Sequence, residues 1–179
     1  MIYISEYKSI LGKITLASDG NNLIGLWLEG QKYYFANLKQ EVIKQDNLEI
    51  FNKTKNWLDR YFNKEKQDIS EIQLSPIGNE FRKKVWEILK EIPYGETITY
   101  KEIANKLEKI MKKEKMSAQA VGGAVGHNPI SIIIPCHRVV GKSGSLTGYA
   151  GGIDKKIKLL EIEGVDTSKF FIPKTYTEI

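Results

Sequence analysis

Covalent chemistry in this 179-residue chain can start at one place, the adjacent pair Cys136-His137. A thiolate is a strong nucleophile, and imidazole is the side chain best suited to take up a proton near neutral pH. Cys136 is the sole cysteine. The pair lies within Ile132-Ile133-Ile134-Pro135-Cys136-His137-Arg138-Val139-Val140, an apolar run that reads as a buried, extended segment. Pro135 interrupts the run, which argues against a central strand. Neighbours on an extended segment point to opposite faces, so no direct contact between Cys136 and His137 is expected. Taken by itself, a thiol so placed is either inert packing or a nucleophile held in a pocket.

The elements before this segment must position it. Lys13 to Ala17 and Leu23 to Leu28 read as strands flanking Ser18-Asp19-Gly20-Asn21-Asn22, a hairpin turn signal. Leu48 to Phe62 carries apolar residues at Phe51, Leu58 and Phe62, a helix to pack on a sheet, with Trp57 and Tyr61 as core. This half has no histidine or cysteine and shows no chemistry. Ser75-Pro76-Ile77-Gly78-Asn79 reads as a boundary, giving domains over 1–76 and 77–179.

Beyond the boundary the pattern is helical. Phe81, Val85, Ile88, Leu89 and Ile92 form one stripe, ended by Pro93-Tyr94-Gly95. Thr99-x-x-Glu102 is a capping box opening a helix that begins at Tyr100. Ser117 caps another, Ala118 to about Val125, and the two resemble a helix-turn-helix. This last helix, with Ala118, Gln119, Ala120, Val121, Gly122, Gly123 and Ala124, is almost bare of large side chains. Each glycine costs a helix roughly 1 kcal/mol relative to alanine. Tight packing against the core would explain them, and so would close approach of a nucleic-acid backbone. Asn128-Pro129 then leads into the cysteine segment.

Bulk properties narrow the class. A hydrophobic share of 41% argues against a disordered chain. One cysteine allows no internal disulfide and no cysteine-built zinc site, which fits a reducing compartment. The N-terminus lacks a signal-peptide pattern and no apolar run reaches the ~20 residues of a membrane span, so a cytoplasmic protein without membrane association is expected. Residues 1–80 hold ten basic and eleven acidic side chains, whereas residues 81–179 hold seventeen and eleven. The second half is therefore the candidate for a polyanion partner.

Several motifs occur in one order: Phe81-Arg82-x-x-Val85-Trp86, Pro93-x-Gly95-x-x-x-x-Tyr100, Ala120-Val121-Gly122-Gly123-Ala124, Asn128-Pro129, Pro135-Cys136-His137-Arg138-Val139-Val140 and Gly148-Tyr149-x-Gly151-Gly152. Together they resemble the O6-alkylguanine-DNA alkyltransferases, over about residues 81–164. The resemblance implies an α/β (α+β) fold, with an N-terminal ribonuclease-H-like sheet and a mostly helical, winged helix-turn-helix C-terminal domain. It implies transfer of an alkyl group from O6 of guanine, or O4 of thymine, in double-stranded DNA to Cys136. The product is a thioether that nothing here can cleave, so the protein acts once, as a monomer and without cofactor or metal. It would be nucleoid-associated when bound to DNA.

Roles follow by the same resemblance. His137 acts on Cys136 through a water, with Glu163 behind it; Tyr100 hydrogen-bonds the leaving base. Asn128 ties the recognition helix to the cysteine segment. Carbonyls of Cys136 and Val139 read the exocyclic amine, the Ala150 N–H faces O6, and Lys156 and the Tyr149 loop line the entrance. Ser117, Ala118, Gln119, Ala120, Gly122 and Gly123 contact DNA. Glu163 has support of its own: an acid in the last turn of a helix opposes the macrodipole, so a cationic partner is expected. Arg138 is expected in an ion pair rather than on substrate. Gln119 stands where the family commonly places an arginine, and Lys109 to Lys115 adds basic charge to a lengthened inter-helix link. Two other readings stay open: a non-enzymatic binder of alkylated bases, or a regulator, and more distantly a thiol hydrolase.

Overall fold

The computed structural model describes residues 1–36 and 38–174. Four strands form a sheet in the order β3-β2-β1-β4: β1 (Ile2–Ser9), β2 (Gly12–Ser18), β3 (Leu23–Leu28) and β4 (Val42–Lys44). The β2–β3 hairpin falls where the Asp-Gly turn signal placed it. β1 had no assignment from the sequence; it pairs antiparallel with β2 and parallel with β4. Helix α1 (Glu49–Phe62) follows and buries Phe51, Trp57, Leu58 and Tyr61.

The C-terminal half holds α2 (Glu80–Lys90), β5 (Ile98–Thr99), α3 (Tyr100–Met111), α4 (Ala118–Gly126), β6 (Val139–Val140) and α5 (Ile153–Ile162). The Thr99 capping box is formed in both directions: its hydroxyl accepts from the Glu102 N–H, and Glu102 accepts from the Thr99 N–H at 2.7 Å. Ser117 caps α4 by accepting the Ala120 N–H at 3.2 Å. The Trp86 indole donates to the Ala124 carbonyl at 2.9 Å and ties α2 to α4.

The two halves share one apolar core, in which Leu26 and Leu58 join Val85, Ile103 and Ile134. The backbone ties them as well. Leu26 of β3 donates to the Pro129 carbonyl and accepts from the Ser131 N–H, each at 2.9 Å. The segment that enters the cysteine region is thereby paired to the edge of the sheet.

One expectation fails here. The stretch before Cys136 is not extended. It is a tight turn with Ile132 at φ +69°, and Cys136–Arg138 form a short 3₁₀ turn. Only Val139 and Val140 are strand, paired parallel with Ile98 and Thr99. Pro135 sets the turn, and β-branched residues that favour strands are overridden by burial from several sides. The argument that Cys136 and His137 face opposite ways therefore lapses.

The cap has a measurable consequence. Thr99→Ala should cost about 1 kcal/mol of stability, read as a lowered urea midpoint with unchanged m-value. An unchanged midpoint would show that β5 pairing alone holds the start of α3.

Candidate active site

Cys136 is 5% exposed and His137 and Lys156 are fully buried, so their charges are decided by neighbours rather than by water. Burial pushes the Cys136 thiol up; the Asn128 amide, the Lys156 ammonium and the Tyr149 hydroxyl around the sulfur offset part of that. A thiol held above its ordinary range needs a base before it can react at neutral pH.

An imidazole, a side chain able to take up that proton, stands next to it in sequence. The His137 Nε2 lies 2.6 Å from Glu163 Oε1. Burial lowers the His137 pKa, Arg138 and Lys156 lower it further, and Glu163 opposes them. A neutral imidazole that donates through Nε2 presents Nδ1 as an acceptor. Nδ1 is buried and finds no hydrogen-bond partner among the described residues.

Glu163 caps the C-terminus of α5, where the helix dipole disfavours it. The expected cationic partner is Arg138, whose Nε and Nη2 reach the two carboxylate oxygens at 2.8 and 2.9 Å. Arg138 also donates to the Ile92 carbonyl, and its guanidinium lies 5.8 Å from the Tyr94 ring centroid. Burial would raise the Glu163 carboxyl, but His137 and Arg138 hold it well below the usual carboxylate range. Arg138 thus makes a structural ion pair, as its position in the motif suggested.

Two further groups on Glu163 escaped the sequence reading. The Tyr61 hydroxyl donates to Oε1 at 2.7 Å, and the Gly95 N–H donates to Oε2 at 3.2 Å. Gly95 has φ +80°, a left-handed conformation glycine adopts without strain, and that aims its N–H. Tyr61 lies 102 residues from Glu163 in sequence. It read only as core, and no local pattern marks such a contact. The N-terminal half therefore does reach the site.

Asn128 is 2% exposed. Its amide donates to the Ile134 carbonyl at 2.8 Å and accepts the Ile130 N–H at 3.0 Å. It therefore stitches the exit of α4 to the turn that carries Cys136. The Tyr100 hydroxyl donates to the Thr147 carbonyl at 3.1 Å, next to the Gly148-Tyr149-Ala150 loop. Burial raises its pKa, and a negative charge on Cys136 would raise it further. Val139 is fully buried, and its N–H donates back to the Cys136 carbonyl. The Ala150 carbonyl accepts the Lys32 N–H at 2.9 Å.

Lys156 was expected at the entrance. It is instead inside: its ammonium is fully buried and has no hydrogen-bond partner among the described residues. Burial brings its pKa down to about 8, against the opposing pull of Cys136. The i, i+4 face of α5 that carries Lys156 also carries Leu160, which turns it inward.

Helix α4 shows the opposite character. Ser117, Ala118, Gln119 and Ala120 are exposed, and Gly122 and Gly123 half-exposed, while Val121, Ala124 and Val125 face the core. A Cβ placed on Gly123 would meet nothing within 4 Å. Internal packing does not require that glycine, which removes the tight-packing explanation at this position. Among the described residues no group of three or more His, Cys, Asp or Glu could hold a metal ion, and no helix is long and apolar enough to cross a membrane.

Comparison with known proteins agrees with this geometry. Residues 2–76 match the family described as 6-O-methylguanine DNA methyltransferase, ribonuclease-like domain. Residues 80–165 match its DNA binding domain. A methylated-DNA--protein-cysteine methyltransferase of Haemophilus influenzae is 42% identical over 92% of this chain and 87% of its own length. One from Methanosarcina mazei is 45% identical over 90% and 97%. Among solved structures, Mycobacterium tuberculosis OGT in complex with DNA superposes with a TM-score of 0.77 at 38% identity, covering 94% of each chain. With a buried cysteine backed by a histidine and a carboxylate, and with both domain families matched in order, the chain belongs to the 6-O-methylguanine-DNA methyltransferase family.

Proposed function

We propose that the chain repairs double-stranded DNA by moving an alkyl group from O6 of guanine, or O4 of thymine, irreversibly onto Cys136. The observation that carries this reading is the lone buried thiol followed directly by a buried imidazole whose Nε2 is held by Glu163. In the reaction the His137 Nδ1 accepts the thiol proton through a bridging water. The sulfur then attacks the alkyl carbon in line, and the carbon–oxygen bond breaks. The base leaves as an anion that the Tyr100 hydroxyl meets with a hydrogen bond. Tyr100 suits that task because its phenol is held next to the Tyr149 loop yet bonded only to exchangeable carbonyl partners.

Lys156 adds a buried positive charge facing the sulfur, which favours thiolate over thiol. Substrate reading falls to backbone groups of the turn and loop: the carbonyls of Cys136 and Val139 for the exocyclic amine, and the Ala150 N–H for O6. The damaged nucleotide must leave the stack to reach a sulfur that is 5% exposed. The exposed, nearly side-chain-free face of α4 lets a DNA backbone approach closely, with Ser117, Ala118, Gln119, Ala120, Gly122 and Gly123 at the contact. The protein acts as a monomer in this scheme, because thiol, imidazole and carboxylate all stand in one chain. The thioether product has no acceptor, since no second cysteine exists. A pure binder of alkylated bases would not need the thiol or its base, and a thiol hydrolase would need a direct Cys–His bond.

Incubation with duplex DNA holding O6-methylguanine should add one methyl group per chain, on the Cys136 peptide, as read by intact-mass and peptide mapping. Cys136→Ser should lose transfer and keep duplex binding. Several turnovers per chain, or methylation elsewhere, would sink the proposal.

The recognition helix supports a second test with two readouts of opposite sign. Gly123→Leu fills open space and removes a helix glycine, so stability should rise by about 0.5–1 kcal/mol. Duplex affinity should nonetheless fall by about tenfold, or 1.4 kcal/mol, because the side chain stands where the phosphate backbone comes. Gln119→Arg should strengthen duplex binding or speed duplex repair, since guanidinium stacks and carries charge. Reaction with free O6-benzylguanine, which needs no flipping, should not change in either variant. Unchanged duplex affinity in Gly123→Leu would remove α4 from the interface.

A further inference from the structure

We propose that Tyr61, from the N-terminal half, is a positioning residue for His137 and Glu163, its hydroxyl holding the carboxylate oxygen that faces the imidazole. The proposal rests on the alkyl-transfer reading above and adds to it a residue outside the DNA-binding half. Tyr61 sits in the last turn of α1 and is 1% exposed. Its hydroxyl is 2.7 Å from Glu163 Oε1 and 3.5 Å from His137 Nε2. The same Oε1 takes His137 Nε2 at 2.6 Å and Arg138 Nη2 at 2.9 Å. The ring itself is fixed. It stacks on Trp57 at 5.5 Å with planes 6° apart, and Phe62 and Tyr94 meet it edge-on.

A core tyrosine usually sends its hydroxyl to water or to a backbone carbonyl. This one is aimed at an ionised group inside the site. Three donors then divide the charge of one oxygen, and each leaves less for the others. The charge that remains is what stabilises a proton on His137.

Among the described residues, the other charged or titratable neighbours of the pair come from several elements. Cys136 and Arg138 come from the same turn, Lys156 and Glu163 from α5 and its cap, Tyr149 from the loop before α5, and Tyr94 from the turn after α2. Among them Glu163 favours the imidazolium, while burial, Arg138 and Lys156 oppose it. By drawing charge from Glu163, Tyr61 weakens the favouring side and keeps His137 unprotonated and ready to act as base. It also pins the carboxylate so that Nε2, rather than Nδ1, carries the ring proton. Through this one side chain the ribonuclease-like half tunes the chemistry of the other half.

Tyr61→Phe keeps the ring packing and removes only the donor. Tyr94→Phe is the matched control, because its hydroxyl serves the Ile162 carbonyl instead of the carboxylate. Two quantities are read in each: the His137 ring titration by NMR in unreacted protein, and the single-turnover rate with free O6-benzylguanine against pH. In Tyr61→Phe the His137 pKa should rise by about half a pH unit to one unit. The acid limb of the rate profile should move up with it, while the plateau holds. Tyr94→Phe should move neither.

A folded Tyr61→Phe with an unmoved or lowered His137 titration would reduce Tyr61 to interdomain packing. Should Tyr61→Phe fail to fold, a fluorinated tyrosine at position 61, a stronger donor, should shift the titration downward, and an unmoved titration there would equally overturn the proposal. If duplex DNA holding O6-methylguanine leaves Cys136 of the wild type unmethylated, the transfer reading fails, whereas the titration still decides the role of Tyr61.

Discussion

A carboxylate buried to the degree of Glu163, 5% exposed at the foot of a helix, is tolerable only while donors surround it. Five do: the Tyr61 hydroxyl, His137 Nε2, Nε and Nη2 of Arg138, and the Gly95 N–H. They arrive from α1, from the turn after α2, and from the 3₁₀ turn of the cysteine segment. Satisfying one anion therefore fixes three segments relative to α5. Arg138 is the only one of these donors that is always charged, so it neutralises the carboxylate and leaves the imidazole free to be neutral. Removing one partner of a buried ion pair costs about 3–5 kcal/mol, more than the pair itself contributes against an apolar replacement. The arrangement is thus better understood as a device for geometry than for stability.

The second constraint is distance between the exposed face of α4 and a buried sulfur. Asn128 closes that distance. It follows α4 directly and holds the carbonyls of Ile130 and Ile134, at 3.3 and 2.8 Å, so the helix and the turn move as one unit. The pairing of Leu26 with Pro129 and Ser131 anchors the same turn to the sheet. An exposed helix with small residues and a thiol with little exposure would have no functional link without this short, rigid bridge.

Local signals in the sequence carried well where the structure is local. The Asp-Gly hairpin, the Thr99-x-x-Glu102 box, the Ser117 cap and the Asn128-Pro129 stop all appear as read, because each depends on residues within a few positions. The Cys136, His137, Asn128 and Glu163 positions came from motif order, and the structure brings all four to one region. What the sequence could not show was set by contacts across the fold. Tyr61 looks like any helix aromatic until the Glu163 carboxylate, far along the chain, is placed beside it. Lys156 looks like a surface lysine until the inward face of α5 is known. The run Ile132 to Val140 has strand-like composition yet turns sharply, because the shape of the surrounding core outweighs β-propensity there.

The account depends on Glu163 holding His137 as the tautomer with its proton on Nε2, leaving Nδ1 as the base toward Cys136. Long-range ¹H–¹⁵N correlation of the His137 ring in unreacted protein reads this directly. A protonated Nε2 and a Nδ1 resonating as an unprotonated, acceptor-type nitrogen at neutral pH are the predicted result. A proton on Nδ1, or a fully charged imidazolium at that pH, would contradict it and leave the Cys136 thiol without its base.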